Sequence, residues 1–296
     1  MTDLHDEPRR GAVPTGAAPR RFAVVGSPIA HSLSPAMHAR AYRALGVDDA
    51  SYRAIEVGEG GLARFLAGPE GRALTGLSVT MPLKREAFAL ADRHDAFSAA
   101  LGVANTLVRD GAGWRAENHD VAGIVETVRA LGAGALRTGS VIGSGATAHS
   151  ALAALIGLGV RDAVLTARRP EALAPLLDLA AAEGIACRVE PWDTRLTALD
   201  VDVSVCALAL PGARDLAAHL AEHPGAPVPR VLMDVLYEPW PAPVAAVARQ
   251  RGILVGDGLS MLAHQAARQV ESMLGVPEAP VALMLEAARA ELAARS

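Results

Sequence analysis

The stretch that decides the fold of this chain reads Val141-Ile142-Gly143-Ser144-Gly145-Ala146-Thr147-Ala148. An apolar strand pattern ends at its first glycine, and a helix pattern begins after its second. In a G-x-G-x-x-A turn the first glycine permits a tight turn, and the second lets the backbone approach a pyrophosphate. Ala148 is small enough for close packing of helix on strand, and the free N–H groups of the helix N-terminus suit phosphates. The stretch predicts a βα unit that binds a dinucleotide; the alternative is an ordinary glycine-rich turn.

Strand and helix patterns alternate on both sides of this turn. Predicted strands lie at residues 22–26, 52–57, 74–79, 140–143, 163–167, 186–189, 203–207, 231–235 and 253–255. Predicted helices lie at residues 34–46, 59–67, 82–91, 146–158, 170–182, 259–274 and 280–294. Residues 106–109 and 114–117 flank Asp110-Gly111 and predict a hairpin. Near-continuous apolar strands that alternate with helices indicate an α/β fold, with parallel sheets covered on both faces.

Length and composition limit the class of protein. A chain of 296 residues suits about two domains. Its hydrophobic fraction of 51% and charged fraction of 20% describe a globular protein with an ample core. The formal charge is −4, and no basic block or basic–aromatic pattern indicates nucleic-acid binding. No apolar run approaches the ~18 residues of a membrane span.

Cysteine usage and the N-terminus indicate a cytoplasmic location. Cys187 and Cys206 lie far apart and form no C-x-x-C pair, which fits a reducing compartment and argues against a structural metal site. Residues 1–21 are polar and rich in proline and glycine, so we expect a flexible tail rather than a signal peptide.

Lys84 is the only lysine in a chain with 28 lysines and arginines. Arginine keeps its proton in proteins, whereas an ammonium group can release one and take it back. A solitary lysine therefore invites the hypothesis of a proton-transfer group, the alternative being biased composition and chance.

The end of the strand at residues 163–167 informs the choice of dinucleotide. An NAD site usually has Asp or Glu there to bind the ribose 2′-hydroxyl. This chain has Arg168 and Arg169 instead, and guanidinium groups suit a 2′-phosphate. The pattern favours NADP, although a solvated arginine pair would look the same.

Polar residues follow several predicted strands of the first half. Ser32 and Ser34 could present hydroxyl groups to a carboxylate, but Ser34 could equally be the N-cap of the next helix. Asn105 could be a turn residue, and Asp120 could be a simple N-cap.

Together these segments resemble the shikimate dehydrogenase family. The resemblance rests on motifs at residues 26–35 (G-S-P-I-A-H-S-L-S-P), 78–84 (S-V-T-M-P-L-K), 102–106 (G-V-A-N-T), 117–123 (E-N-H-D-V-A-G), 234–239 (D-V-L-Y-E-P) and 256–267 (G-D-G-L-S-M-L-A-H-Q-A-A). They follow in order from about residue 22 to the final helices.

The resemblance implies reversible reduction of 3-dehydroshikimate to shikimate with NADPH, in chorismate and aromatic amino acid biosynthesis. It implies Lys84 and Asp120 as the catalytic pair. It implies as substrate-binding residues Ser32, Ser34, Thr80, Asn105, Tyr237 and Gln265. Cofactor binding is expected at Gly143, Ser144, Gly145, Ala146, Thr147, Ala148, Arg168 and Arg169. We expect Lys84 to protonate the ketone oxygen as hydride reaches the carbon, with Asp120 orienting the ammonium group.

The resemblance also implies a discontinuous first domain. The expected division is a tail at residues 1–21, a substrate domain at 22–121 with 258–296, and a Rossmann-type NADP domain at 122–257, with the site in the cleft between the two domains. The protein is expected to be a monomer or a homodimer that binds small molecules, not nucleic acid or membranes.

Some positions depart from the family pattern. Ser78 replaces a usual Asn, His119 a Thr, Ala146 a Gly, Ala167 an Asn and Ala242 a Thr. His119 is expected to be a partly exposed imidazole rather than a catalyst. Two other functions stay open: a quinate or aminoshikimate dehydrogenase that could use NAD, and a shikimate sensor without activity.

Overall fold

The computed structural model describes residues 19–239 and 241–295. The first sheet contains strands β1 (Arg20–Gly26), β2 (Ala50–Glu56), β3 (Gly76–Val79), β4 (Arg93–His94), β5 (Thr106–Asp110) and β6 (Gly113–Glu117). The second contains β7 (Thr138–Ile142), β8 (Asp162–Thr166), β9 (Ala186–Val189), β10 (Val203–Cys206), β11 (Val231–Asp234) and β12 (Leu254–Asp257).

The helices lie between these strands and after them. They are α1 (Ser34–Leu45), α2 (Leu62–Ala67), α3 (Pro69–Arg72), α4 (Lys84–Leu90), α5 (Ala96–Leu101), α6 (Asp120–Arg129), α7 (Ala146–Gly157), α8 (Ala174–Ala182), α9 (Leu210–Glu222), α10 (Pro243–Gln250), α11 (Gly258–Leu274) and α12 (Val281–Ala294). Two 3₁₀ helices span Pro170–Leu173 and Trp192–Leu199. Within the two described ranges, no helix combines the length and apolar character that crossing a bilayer requires.

The first sheet is mixed, with strand order β2-β1-β3-β5-β6-β4. Its first three strands are parallel, and the hairpin of β5 and β6 adds antiparallel pairs. The register places Ser78 of β3 directly opposite Thr106 of β5. The hairpin turn contains Gly111 at φ 60°, a left-handed conformation that favours glycine.

The second sheet is entirely parallel, with order β12-β11-β10-β7-β8-β9. This is the order of a doubly wound dinucleotide-binding sheet, in which the strand sequence reverses between β7 and β10. Ligands bind such sheets in the crevice at the carboxyl ends of the strands at this reversal. The turn after β7 is the glycine-rich stretch at residues 141–148.

Helices cover both faces of both sheets, as predicted. Phe22 packs with α1, α11 and α12, whereas its neighbour Ala23 points to the opposite side of the first sheet. In the second sheet, Val141 packs with α6 and α7, and Ile142 packs with α9 and α10. The expected α/β fold with a Rossmann-type sheet is confirmed.

The division into domains at residues 22–121 with 258–296 and 122–257 stays a prediction. Separate sheets favour it, because β1 to β6 form one sheet and β7 to β12 the other. Of the predicted tail, residues 1–18 lie outside the described part of the chain. Arg20 and Arg21 already belong to β1, where the Arg20 guanidinium pairs with Asp49. A search for apolar runs misses a strand that starts with two arginines.

One local prediction was wrong, and several elements were missed. Ser34 is not an N-cap, because α1 begins at Ser34 and its N-cap is Leu33, without a side-chain cap. Helices α3, α5, α9 and α10 and strand β4 were not predicted at all. Gly212 and Pro211 in the first turn of α9 resemble loop residues in sequence, although proline suits that position of a helix.

Candidate active site

A cavity of ≈ 500 Å³ lies beside the carboxyl ends of β1 and β3. It is lined by every residue that was expected to act on or bind the substrate: Ser32, Ser34, Thr80, Lys84, Asn105, Asp120, Tyr237 and Gln265. These side chains come from loops after strands and from the starts of helices, and α11 contributes Gln265. We call this space the substrate cavity.

Lys84 and Asp120 meet in this cavity. The ammonium group of Lys84 donates a hydrogen bond to Oδ2 of Asp120, and the two side chains are 12% and 6% exposed. Lys84 is the first residue of α4 and Asp120 is the first residue of α6. The N-terminus of α6 favours the negative charge of Asp120. Asp120 is therefore not the N-cap, which is His119.

Asn105 supports the other carboxylate oxygen. Its Nδ2 donates to Oδ1 of Asp120 at 2.8 Å and to Oε1 of Gln265 at 3.0 Å. Its Oδ1 accepts from the backbone N–H of His119 at 3.0 Å and from the Thr106 hydroxyl at 2.8 Å. Both amide hydrogens of Asn105 are thus already used. A substrate oxygen can reach them only by replacing Gln265.

Hydroxyl groups of Ser32, Ser34 and Tyr237 also line the substrate cavity. Ser34 is buried, and the backbone N–H of Ser34 donates a hydrogen bond to the Ser32 hydroxyl at 3.3 Å. Burial raises the pKa of Tyr237, so its phenol stays protonated and can donate. At the rim, a nitrogen of His31 lies 3.9 Å from a carboxylate oxygen of Glu238. Lys84 supplies the charge deep in the cavity.

A second cavity, of ≈ 740 Å³, lies over the glycine-rich turn at the crevice between β7 and β10. Its lining includes most of the residues expected to bind the cofactor: Gly143, Ser144, Gly145, Ala146, Thr147, Arg168 and Arg169. Ala148 does not line it. That residue is fully buried in the core under α7, where its small side chain lets the helix approach the sheet.

The local geometry of this cofactor cavity fits a dinucleotide phosphate. Gly143 has φ 128°, and a Cβ there would lie 2.5 Å from the Ala207 carbonyl oxygen, so only glycine fits. At Gly145, the N-cap of α7, a Cβ would meet no atom within 4 Å, so that position opens into the cavity. The N-terminus of α7 therefore presents its free N–H groups to this space.

Arginines form the far wall of the cofactor cavity. Arg168 and Arg169 follow β8, both are exposed, and among the described residues neither is within ion-pair distance of a carboxylate. Arg85 lines the same cavity from α4. The positive wall and the lack of an acidic residue at the end of β8 suit a 2′-phosphate rather than a free ribose hydroxyl.

The substrate and cofactor cavities share a wall. Both are lined by Thr80, Met81, Lys84, Thr147, Val235 and Leu236. Lys84 thus faces the place where a substrate and a dinucleotide would meet.

Known proteins share the sequence of this chain along most of its length. Residues 24–107 match the model of the shikimate dehydrogenase substrate binding domain, and residues 258–289 match the shikimate 5′-dehydrogenase C-terminal domain. The shikimate dehydrogenase (NADP(+)) of Methylobacterium radiotolerans is 35% identical over 271 residues, covering 88% of this chain and 92% of that protein. This chain belongs to the shikimate dehydrogenase family.

Solved structures of the family have the same fold. Shikimate dehydrogenase from Mycobacterium tuberculosis is 40% identical, with a TM-score of 0.81, over 92% of this chain and 100% of that one. The Thermus thermophilus enzyme in complex with NADP(H) and shikimate is 30% identical, with a TM-score of 0.76, over 92% of this chain and 100% of that one.

His119 lies beside the family's aspartate but does not line the substrate cavity. Burial lowers its pKa to about 4, so the ring is neutral near pH 7. Its Nε2 lies 2.8 Å from Oε2 of Glu117, and its backbone N–H supports Asn105. These contacts indicate a structural role for His119, whose side chain is only 17% exposed.

Sequence reasoning missed Gln269 and Ser78 as parts of the site. Both line the substrate cavity, and the Ser78 hydroxyl donates to Oε1 of Gln269 at 2.7 Å. Gln269 follows Gln265 by one helical turn, and this spacing was the signal available in the sequence.

Proposed function

We propose that this chain reversibly reduces 3-dehydroshikimate to shikimate with NADPH, with Lys84 and Asp120 as its acid–base pair. The observation that carries the proposal is the contact of Lys84 with Asp120 on the wall that the two cavities share. Relatives that align over nearly the whole chain are named shikimate dehydrogenase (NADP(+)).

The cofactor cavity would hold the dinucleotide on Gly143, Gly145 and the N-terminus of α7, with Arg168 and Arg169 at the 2′-phosphate. NADPH, when bound, supplies a hydride to the ketone carbon. The chain itself excludes bulk water from a largely buried pair and holds a proton donor beside the ketone oxygen.

Lys84 supplies that donor. As the carbonyl carbon gains two electrons, negative charge develops on the oxygen, and the nearby ammonium group stabilises it and transfers one proton. Asp120 holds the ammonium group in place, and Asn105 holds Asp120. In the direction of oxidation, the amine takes the proton from the hydroxyl group.

The remaining residues recognise the substrate. The hydroxyl groups of Ser32, Ser34 and Tyr237 offer neutral donors for a carboxylate, and Thr80 and Gln265 face its ring hydroxyls from the lining. Asn105 joins them once a substrate oxygen replaces Oε1 of Gln265. This arrangement favours a polyhydroxylated ring acid.

A spectrophotometric assay of NADP⁺ reduction by shikimate tests the proposal. We expect turnover with shikimate and NADP⁺ to exceed that with quinate or with NAD⁺. Preference for quinate would make the protein a quinate dehydrogenase of the same fold, and tight shikimate binding without turnover would make it a sensor. We also infer a cytoplasmic location from the free Cys187 and Cys206. A monomeric or homodimeric state stays a prediction.

A further inference from the structure

A buried chain of hydrogen bonds leads from β2 to the catalytic pair. Its links are Tyr52 OH to Ser78 Oγ (2.6 Å), Ser78 Oγ to Gln269 Oε1 (2.7 Å), Gln269 Nε2 to Thr106 Oγ1 (3.0 Å), Thr106 Oγ1 to Asn105 Oδ1 (2.8 Å) and Asn105 Nδ2 to Asp120 Oδ1 (2.8 Å). Ser78, Gln269, Thr106 and Asn105 are all less than 5% exposed.

Backbone groups fix the direction of this chain. Nε2 of Gln269 also lies 3.1 Å from the backbone carbonyl of Asn105, which can only accept, so the amide nitrogen must face that side. Its oxygen then faces Ser78, which must donate. At the other end, the backbone N–H of His119 can only donate, so Oδ1 of Asn105 faces it and Nδ2 faces Asp120.

Among the described residues, Gln269 is the one side chain that forms hydrogen bonds both with Ser78 and with the Asn105–Thr106 segment. Without it, the Thr106 hydroxyl has no fixed donor and is free to turn away from Asn105. The Asn105 amide then loses one of the two contacts that hold its oxygen away from the Asp120 carboxylate.

We propose that Gln269 is a positioning residue. It acts through Thr106 and Asn105 to hold the Asp120 carboxylate, and thereby the Lys84 ammonium group, in the orientation that proton transfer needs. This proposal rests on the proposed function. It also accounts for Ser78, which stands where the family pattern has Asn. Ser78 lies directly opposite Thr106 in the sheet, so an Asn at position 78 would reach the Thr106 hydroxyl itself. The shorter serine leaves that task to Gln269.

The test compares kcat for shikimate oxidation in Gln269→Leu, in Ser78→Asn/Gln269→Leu and in the wild type. Because small misplacements of a reacting group lower rates steeply, we expect Gln269→Leu to lose about tenfold or more in kcat with an unchanged KM for NADP⁺. The double variant should recover most of this loss. If the double variant recovers kcat but not the unfolding temperature, the loss of kcat in Gln269→Leu comes from misplaced catalytic groups and not from lower stability.

A second pair of variants covers the case in which Gln269→Leu does not fold. Thr106→Val keeps the side-chain shape but removes the link, and should lower kcat like Gln269→Leu, whereas Thr106→Ser should not. Wild-type kcat in both Gln269→Leu and Thr106→Val would overturn the positioning role. Absence of shikimate turnover in the wild type would instead overturn the proposed function, and the positioning role with it.

An independent cluster lies at the end of α9. His219, Glu222 and His223 each offer one ligand atom, and these atoms lie within 4.8 Å of one another. Nδ1 of His223 lies 2.8 Å from the His219 carbonyl oxygen, so Nδ1 carries the proton and Nε2 is free to bind a metal.

We infer that this cluster binds a divalent transition-metal ion of borderline softness, such as Zn²⁺. Two imidazoles and a carboxylate are ligands that zinc prefers, and the exposure of the side chains allows the small movements that bring them to coordination distance. Leu210, the first residue of α9, lines the substrate cavity, whereas the cluster lies at the other end of the helix, about 14–20 Å away at 1.5 Å per residue. The site is therefore separate from the active site.

Calorimetric titration with zinc chloride alone tests this inference. We expect one site per chain in the wild type and in His94→Gln, an exposed histidine elsewhere. His219→Gln and His223→Gln should each weaken binding by about tenfold or more. Equal binding in all four proteins, or none in the wild type, would overturn it.

Discussion

Replacing Lys84 by arginine asks whether the amine is needed for more than its charge. The Lys84→Arg variant keeps a cation beside Asp120 but cannot release a proton. The side chain is only 12% exposed and its neighbours are buried, so the larger guanidinium group also crowds the pair.

The expected magnitude follows from the role of the group. General acid–base catalysis contributes roughly 10²–10⁴-fold, which corresponds to about 3–5 kcal/mol in activation free energy. Crowding adds a stability cost of about 1–3 kcal/mol. Shikimate binding should remain, because the variant leaves unchanged the hydroxyl groups of Ser32, Ser34 and Tyr237, which we propose bind the substrate.

The assay measures kcat for NADP⁺ reduction by shikimate, together with shikimate affinity by calorimetry and the unfolding temperature. Arg43→Lys is the matched control, because it makes the converse exchange at an exposed position near the end of α1. Turnover in Lys84→Arg within a few-fold of the wild type would refute the proton-transfer role.

Other predictions test the cofactor cavity and a buried histidine. Arg168→Ala should raise the KM for NADPH by about 10–100-fold, as expected for a lost charged hydrogen bond, and leave the KM for NADH nearly unchanged; an equal effect on both would contradict the 2′-phosphate assignment. Gly143→Ala should destabilise the protein by about 2 kcal/mol or more and abolish dinucleotide binding, measured by denaturant unfolding and by NADPH fluorescence titration, because its Cβ would strike the Ala207 carbonyl. Burial lowers the pKa of His38 from 6.5 to about 3. Between pH 6.5 and pH 3, the imidazole therefore binds a proton in the unfolded chain but not in the folded one. The free energy of unfolding thus falls as the pH falls below 6.5. His38→Phe should retain about 2 kcal/mol more of its neutral-pH stability at pH 5 than the wild type retains, measured by denaturant unfolding at both pH values; parallel losses would disprove it.

Much of the fold could be predicted from local patterns. The turn after β7 is marked by two glycines, of which Gly143 is required sterically and Gly145 leaves open space for a phosphate. The hairpin of β5 and β6 follows from Asp110-Gly111. Lys84 and Asp120 could be singled out by residue type and motif. Their contact could not, because 36 residues separate them and only the folded chain brings the first residues of α4 and α6 together.

The parts that escaped prediction depend on tertiary structure. Ser78 and Gln269 are 191 positions apart, and no local pattern links a β3 residue to one in α11. The start of α1 depends on Leu33, which is completely buried, rather than on the capping side chain of Ser34. The metal-binding pattern of His219, Glu222 and His223 was readable from its helical spacing but needed α9 to be recognised as a helix.

The connections between the sheets have a mechanical consequence. β12 ends at Asp257 and α11 begins at Gly258, so one sheet runs directly into a helix that packs on the other. The other crossing is α6, which links the first sheet to the second, packs against α11 and begins with Asp120. The two crossings lie side by side, so a rotation of one sheet against the other would shift the helix that begins with Asp120. The relative orientation of the two sheets and the position of this carboxylate are therefore mechanically coupled.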